Sequence, residues 1–215
     1  MIPFLLVLSS PSGGGKSTIR DRLIKARKRR LSYSVSATTR ARRTGERNGR
    51  DYFFLSREEF GRRERAGEFL ETASYGGERY GTARREVERI LAKGRIPVLE
   101  IEVQGARQVR RRFANAVHVF VLPPSGRALM KRLAARGTED PAGFRRRMET
   151  AGKEFDAVSD YDYVVVNDDL DTAVERVVAI LDAETQRVTR QEGLAKIVRH
   201  LRREVLAVAR SIKKR

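Results

Sequence analysis

Cysteine is absent from the 215-residue chain, which removes disulfides, thiol catalysis and cysteine-ligated metal and fits a reducing compartment. Histidine is nearly absent as well. His118 and His200 are too few and too far apart for a zinc site, and His118, inside the apolar run HVFVLP, reads as a packing residue at a strand end. No apolar run approaches the ~20 residues of a membrane span. The N-terminal run PFLLVL is short and leads into a glycine-rich turn, so no secretory signal is visible. There is no internal repeat or low-complexity tract. These absences leave the expectation of a soluble, cytoplasmic protein whose length suits one substantial core with inserted lobes.

Acids are the minority among the charged residues, with 46 Lys/Arg against 28 Asp/Glu and a formal net charge of +18. The surplus is concentrated in two places. Residues 20–50 hold twelve Lys/Arg against two acids, and residues 184–215 hold ten against three. Such patches favour anionic partners: nucleotides, nucleic acid or acidic membrane.

Directly behind PFLLVL stands SSPSGGGKST, Ser9 to Thr18, and behind that Ile19, Leu23 and Ile24 mark an apolar helix face. A strand, a glycine turn and a helix N-terminus in so short a span make an anion site from bare N–H groups and the helix dipole. The stretch matches the phosphate-binding loop G-x-x-x-x-G-K-[ST], with Gly15, Lys16 and Ser17 in place and Ser10 where the first glycine belongs. Ser12, Gly13, Gly14, Gly15, Lys16, Ser17 and Thr18 are therefore the expected phosphate-binding residues. Lys16 would reach the terminal phosphates, and the Ser17 hydroxyl would coordinate Mg²⁺.

Further apolar runs at 97–103, 118–123 and 163–168 read as buried strands. They alternate with helical patterns at 17–29, 83–93, 105–112, 126–136, 141–157 and 171–186, an order that predicts a parallel α/β sheet covered on both faces. Residues 35–82 break the alternation. An Asn48-Gly49 turn, the aromatic strand DYFF, a capping box from Ser56 to Glu59 and the strand FLETAS suggest an inserted small mixed sheet. Residues 126–157, nearly all charged helix, suit a lid.

Arg40 and Arg43, with Tyr52 beyond the turn, present two guanidinium forks and a phenol to a second phosphate. Glu71 follows two apolar residues in FLE and could face inward from a strand, a strand-edge position being the other reading. Its carboxylate can accept from the N1–H and 2-amino groups of guanine, and Ser36, Thr82 and Glu102 would complete that pocket with Tyr80 near the phosphate. Glu100 and Glu102, two apart, would share a strand face beside the loop, with a magnesium or base-binding role.

Taken together, PSGGGKST, SVSATTR, RDYFF, GEFLE, RYGT, EIEVQGA, LPPS, RGT and VVVNDDLD resemble the guanylate kinases of bacterial type, in order and spacing, over residues 3 to 186. The resemblance implies a P-loop NTPase core with a parallel sheet flanked by helices (1–34, 83–125 and 158–186), a mixed-sheet GMP-binding lobe (35–82) and a helical lid (126–157). It implies ATP:GMP phosphotransfer with Mg²⁺. Ser36, Arg40, Arg43, Tyr52, Glu71, Tyr80, Thr82 and Glu102 match the GMP-site positions. Lys16, Arg40, Arg43, Arg136 and Arg147 would be the catalytic cations, the last two as lid arginines, with Arg132 beside them. Asn167 and Asp168 match the strand-end pair beside the adenine. The chain departs from the pattern at Ser10, at Thr72 and Arg79 where aromatics are common, and at Glu102 where Asp is usual. A scaffold module on the same fold would lose the loop lysine, and a kinase for another nucleotide would lack the Ser36, Arg40, Arg43, Tyr52 and Glu71 set.

Residues 187–215 lie beyond the resemblance. Leu194, Ile197, Val198, Leu201, Val205, Val208 and Ile212 recur at three- and four-residue steps, with Lys196, Arg199, Arg202, Arg203 and Arg210 on the other faces. This is a basic amphipathic helix. The expectation is that its stripe packs on the chain's own core or against a second subunit of a homo-oligomer. Docking to nucleic acid or membrane is the other reading, with any nucleic-acid binding weak and nonspecific.

Overall fold

The computed structural model describes residues 2–135 and 141–212. Elements run β1 (Leu5–Ser9), α1 (Lys16–Ala26), β2 (Leu31–Tyr33), β3 (Ser36–Thr38), β4 (Phe53–Phe54), α2 (Arg57–Arg65), β5 (Phe69–Tyr75), β6 (Glu78–Ala83), α3 (Arg84–Leu91), β7 (Ile96–Glu100), α4 (Val103–Arg112), β8 (Ala116–Leu122), α5 (Gly126–Ala134), α6 (Pro141–Phe155), β9 (Tyr163–Val166), α7 (Leu170–Thr185) and α8 (Leu194–Ile212). Two compact units result, Pro3–Val178 and a second built on the chain from Ala179 onward together with Ile2.

In the first unit, five parallel strands lie in the order β2-β7-β1-β8-β9. Every residue of the central strand β1 is buried, which is why PFLLVL shows no alternation: helices cover both sheet faces. Leu5, Val7, Leu99, Ile101, Ala106 and Val109 share one apolar cluster on one side of that sheet. This is the expected α/β fold class. Two details differ from the sequence reading. The three-residue strand β2 carries no recognisable signal, and β9, expected to be buried, is an edge strand on which Val164 and Val166 are exposed. At an edge only one flank is paired, so the apolar run is not enclosed.

A second sheet, β4-β3-β6-β5, mixes parallel and antiparallel pairs. The Ser56 hydroxyl accepts from Glu59 N–H at 3.0 Å and starts α2, one half of the expected capping box, while the Glu59 carboxylate turns to Arg62 and Arg63. An extra residue at Leu70 interrupts the β5–β6 register, and Leu70 enters the same apolar cluster as β1 and α4. Helix α4 runs beside β5, and three of its side chains, one turn apart, serve the strand's backbone. Gln104 accepts from Ser74 N–H, Gln108 both accepts from Thr72 N–H and donates to its carbonyl, and Arg112 donates to Leu70 O. The edge is covered rather than left as a free template.

In the second unit, Ile2 N–H donates to Arg190 O at 2.9 Å, and the buried Arg190 guanidinium pairs with Glu184. Helix α8 follows Gly193. No described helix is long and apolar enough to cross a membrane.

Candidate functional site

The phosphate loop leaves the carboxyl end of β1, with β7 on one side and β8 on the other. Crevices outside strand carboxyl ends are where ligands bind in open α/β sheets. Gly15 caps α1 with φ 96°, and a Cβ there would also stand 2.2 Å from Asn167 Nδ2, so two independent constraints select glycine. Ser10 needs no such freedom. No described non-glycine residue has a positive φ, and the buried Ser10 hydroxyl donates to Pro11 O at 3.0 Å.

Lys16 is 9% exposed, and its ammonium donates to Glu102 Oε1 at 3.0 Å and to Ile101 O at 3.4 Å. Burial works to lower its pKa, but the Glu102 and Glu100 carboxylates outweigh that and hold it above the ordinary value. The Ser17 hydroxyl donates to Glu100 Oε1 at 2.5 Å. Arg20, one turn further along α1, pairs with the other Glu100 oxygen and lies 4.2 Å over the Tyr33 ring. Strand β7 ends at Glu100, while Glu102 stands beyond it as the residue before α4. The two carboxylates therefore face different cations instead of sharing one strand face.

A cavity of about 570 Å³ opens over this loop, and Ser12, Gly13, Gly15, Lys16 and Ser17 line it. Arg40, Arg43, Tyr52, Glu71, Tyr80, Glu102 and Arg147 line the same cavity. Gly14 and the exposed Thr18 do not, and Ser36 and Thr82 are buried behind it. Arg136 lies outside the described residues.

Pairing register explains the inner wall. Ser36 opposes Thr82, and Thr82 opposes Glu71, so three polar side chains form a row on one sheet face. Thr82 donates to Glu71 Oε1 at 2.7 Å, whereas the buried Ser36 hydroxyl has no partner. Burial pushes the Glu71 carboxyl up to about 7, against the hydrogen bond from Thr82.

On the outer wall, the Arg40 fork grips Glu46 at 2.7 and 3.1 Å, and Glu46 also accepts from Arg43 N–H at 2.8 Å. The Arg40 guanidinium stands 5.4 Å from the Tyr52 ring centroid, and the Tyr52 and Tyr80 rings meet edge-on at 6.0 Å. Arg79 lies 4.7 Å over the Phe60 ring, so its planar fork packs where an aromatic is common.

Asn167 and Asp168 part company. Asn167 is buried and donates to Gly14 O at 2.9 Å, bracing the loop, with Arg132 reaching Asn167 O at 3.1 Å. Asp168 is exposed and accepts from Arg176 at 3.4 Å. Neither lines the cavity.

Four contributors escaped the sequence reading. Arg20 had one available signal, its place one turn after Lys16, and Glu46 another, as one of two acids in a basic loop. Glu154 of α6 is buried, and burial together with the neighbouring Glu102 raises its pKa. Gly105 carries no local signal at all.

A phosphate loop at the head of a parallel sheet, facing an arginine- and tyrosine-lined wall across one cavity, defines the class of P-loop phosphotransferases. Comparison with known proteins narrows the class. The guanylate kinase family model matches residues 3–184. The chain is 46% identical over 189 residues to the guanylate kinase of Streptococcus thermophilus (strain CNRZ 1066), covering 88% of this chain and 90% of that protein. It is 50% identical over 177 residues to that of Rubrobacter xylanophilus, covering 82% and 92%. Its fold superposes on the crystal structure of guanylate kinase from Anaplasma phagocytophilum with a TM-score of 0.75 at 35% identity, covering 92% and 94%. The chain belongs to the guanylate kinase family.

Proposed function

We propose that the cavity over the phosphate loop is where the two nucleotides of the family reaction meet in this chain. As a guanylate kinase it transfers the terminal phosphate of ATP to GMP, giving ADP and GDP. The observation that carries the site reading is that the loop lysine, the Arg40–Arg43–Tyr52–Tyr80 wall and Glu71 all line one cavity.

In this reading residues 35–82 are the GMP lobe and 126–157 the lid. Guanine's two donors meet Glu71, with Thr82 and Ser36 beside it, and the acceptor phosphate lies between Arg40, Arg43 and the two tyrosines. Residues Ser12–Thr18 cradle the ATP phosphates, and the adenine lies by the strand end at Asn167 and Asp168. Transfer through a loose transition state needs alignment and neutralised equatorial oxygens rather than a general base. Lys16, Arg40, Arg43 and Arg147 supply the charge from three separate segments.

Kinases of this kind take ATP with Mg²⁺. The Ser17 hydroxyl and Glu100 carboxylate, in contact at 2.5 Å, are hard oxygen donors that fit an ion arriving on the nucleotide, since Mg²⁺ is commonly held by one or two carboxylates plus substrate phosphates. When bound, the ion neutralises charge on the phosphate oxygens.

A coupled kinase assay with GMP, AMP, CMP and UMP tests the assignment. GMP is expected to exceed each rival by at least ~100-fold in kcat/KM. Preference for any other acceptor overturns it.

A further inference from the structure

The family match ends at residue 184, and α8 lies wholly beyond it. Every residue from Ala195 to Arg210 is exposed, including Val198 at 53%, Leu201 at 53%, Val205 at 67% and Val208 at 59%. Within its own unit, the stripe is not covered.

We propose that the stripe is the seam of a parallel, two-stranded coiled coil formed with α8 of a second copy of this chain. Leu194, Val198, Leu201, Val205 and Val208 follow one another at steps of four, three, four and three, and Ile212 continues the sequence pattern. That is a strict seven-residue repeat, with Ile197 at its margin and Leu206 outside it as further exposed apolar residues. Val198, Val205 and Ile212 occupy one class of core position, and Leu194, Leu201 and Val208 the other, leucine at two of its three places. β-Branched residues at the first and leucine at the second favour two parallel strands.

Charge placement selects the occupant. At about 100° per residue, Lys196, Arg199, Arg203 and Arg210 fall roughly opposite the seam, where two paired helices hold their charges furthest apart. A helix lying on anionic lipid needs cations along both borders of its apolar sector, within reach of the head groups. Here only Arg202 stands at a border, the other being taken by Glu204, and α8 has no aromatic residue. Orientation follows from the same two residues. An antiparallel pairing with the seams in full overlap brings Arg202 against its own copy and Glu204 against its own copy near the two-fold axis. The parallel pairing sets Arg202 beside Ile197 and Glu204 beside Ala209.

The helix of 19 residues is only about 28 Å long, so the association is expected to be weak and concentration-dependent. Sedimentation equilibrium of the full chain from about 1 to 200 µM tests it. The expected result is a monomer–dimer equilibrium that strengthens as salt screens the like charges. Leu201→Glu with Val205→Glu should weaken it at least tenfold while kcat is unchanged, since neither residue belongs to the site. The chain has no cysteine, so Val198→Cys supplies a unique thiol, and mild oxidation should cross-link it to its copy. A monomer throughout, a dimer indifferent to the double substitution, or a dimer of the Val198→Cys chain that does not cross-link overturns the proposal. Tail-dependent binding of phosphatidylserine vesicles or DNA by a chain that stays monomeric overturns it as well, and such binding weakens with salt.

Discussion

Gly105 and Glu71 are in a contact that only glycine permits: a Cβ at Gly105 would stand 2.2 Å from Glu71 Oε2 and 2.9 Å from its Cδ. Helix α4 is held alongside β5 by Gln104, Gln108 and Arg112, so it cannot back away. Gly105→Ala should push the carboxylate off Thr82 and raise KM for GMP on the order of 10- to 100-fold, the loss of a charge-assisted hydrogen bond. KM for ATP should stay within about threefold. Steady-state kinetics with each substrate varied in turn decides it, and equal rises in both constants would count against a base-reading Glu71.

Lys16→Ala should cut kcat by roughly three orders of magnitude or more, because a buried cation aimed at developing phosphate charge is lost. Far-UV circular dichroism should be unchanged. Turnover above a tenth of the parent value would sink the role given to Lys16.

Glu71 should leave two opposite marks on pH dependence. Its pKa is raised in the fold, from 4.5 to about 7. The fold therefore holds the proton more tightly than the unfolded chain does. That contribution to stability is fully present below pH 4.5 and is lost as pH rises through about 7, a span worth about 3 kcal/mol. Melting temperature should fall from about pH 5 to about pH 8, and less steeply in Glu71→Gln. Guanine's donors require the ionised carboxylate, so KM for GMP should fall over the same interval. Because the GMP phosphate titrates nearby, the Glu71→Gln profile is the reference. Superimposable profiles for the two proteins would refute the assignment.

Glu102→Asp withdraws the carboxylate by roughly 1.5 Å, one bond length. GMP affinity should stay within about twofold or improve. A loss greater than about fivefold, measured by calorimetric titration, would mean that the pocket has packed around the longer side chain.

The core was legible because its signals are local. β1 declares itself through an unbroken apolar run, the loop through three glycines and a lysine, and α2 through Ser56 and Glu59. What stayed hidden depends on partners distant in sequence. Gly105 matters only because Glu71, 34 positions earlier, lies against it, and Arg20 acquires its task from Glu100, 80 residues on. The edge position of β9 follows from strand order, and strand order is not written in YVVV.

In the proposed reading, Lys16 would not meet its substrate with a bare charge. Its ammonium already rests on Glu102 at 3.0 Å, so nucleotide arrival is an exchange of one anion for another. A lone phosphate or sulfate brings no base or ribose contacts to assist it, and it must displace a tethered carboxylate whose effective concentration is far above its own. A nucleotide anchored at its far end presents its phosphates at a comparable effective concentration and can win the exchange. In the proposed reading, the Lys16 charge is thus held in place by Glu102 until a nucleotide anchored elsewhere in the cavity draws it away.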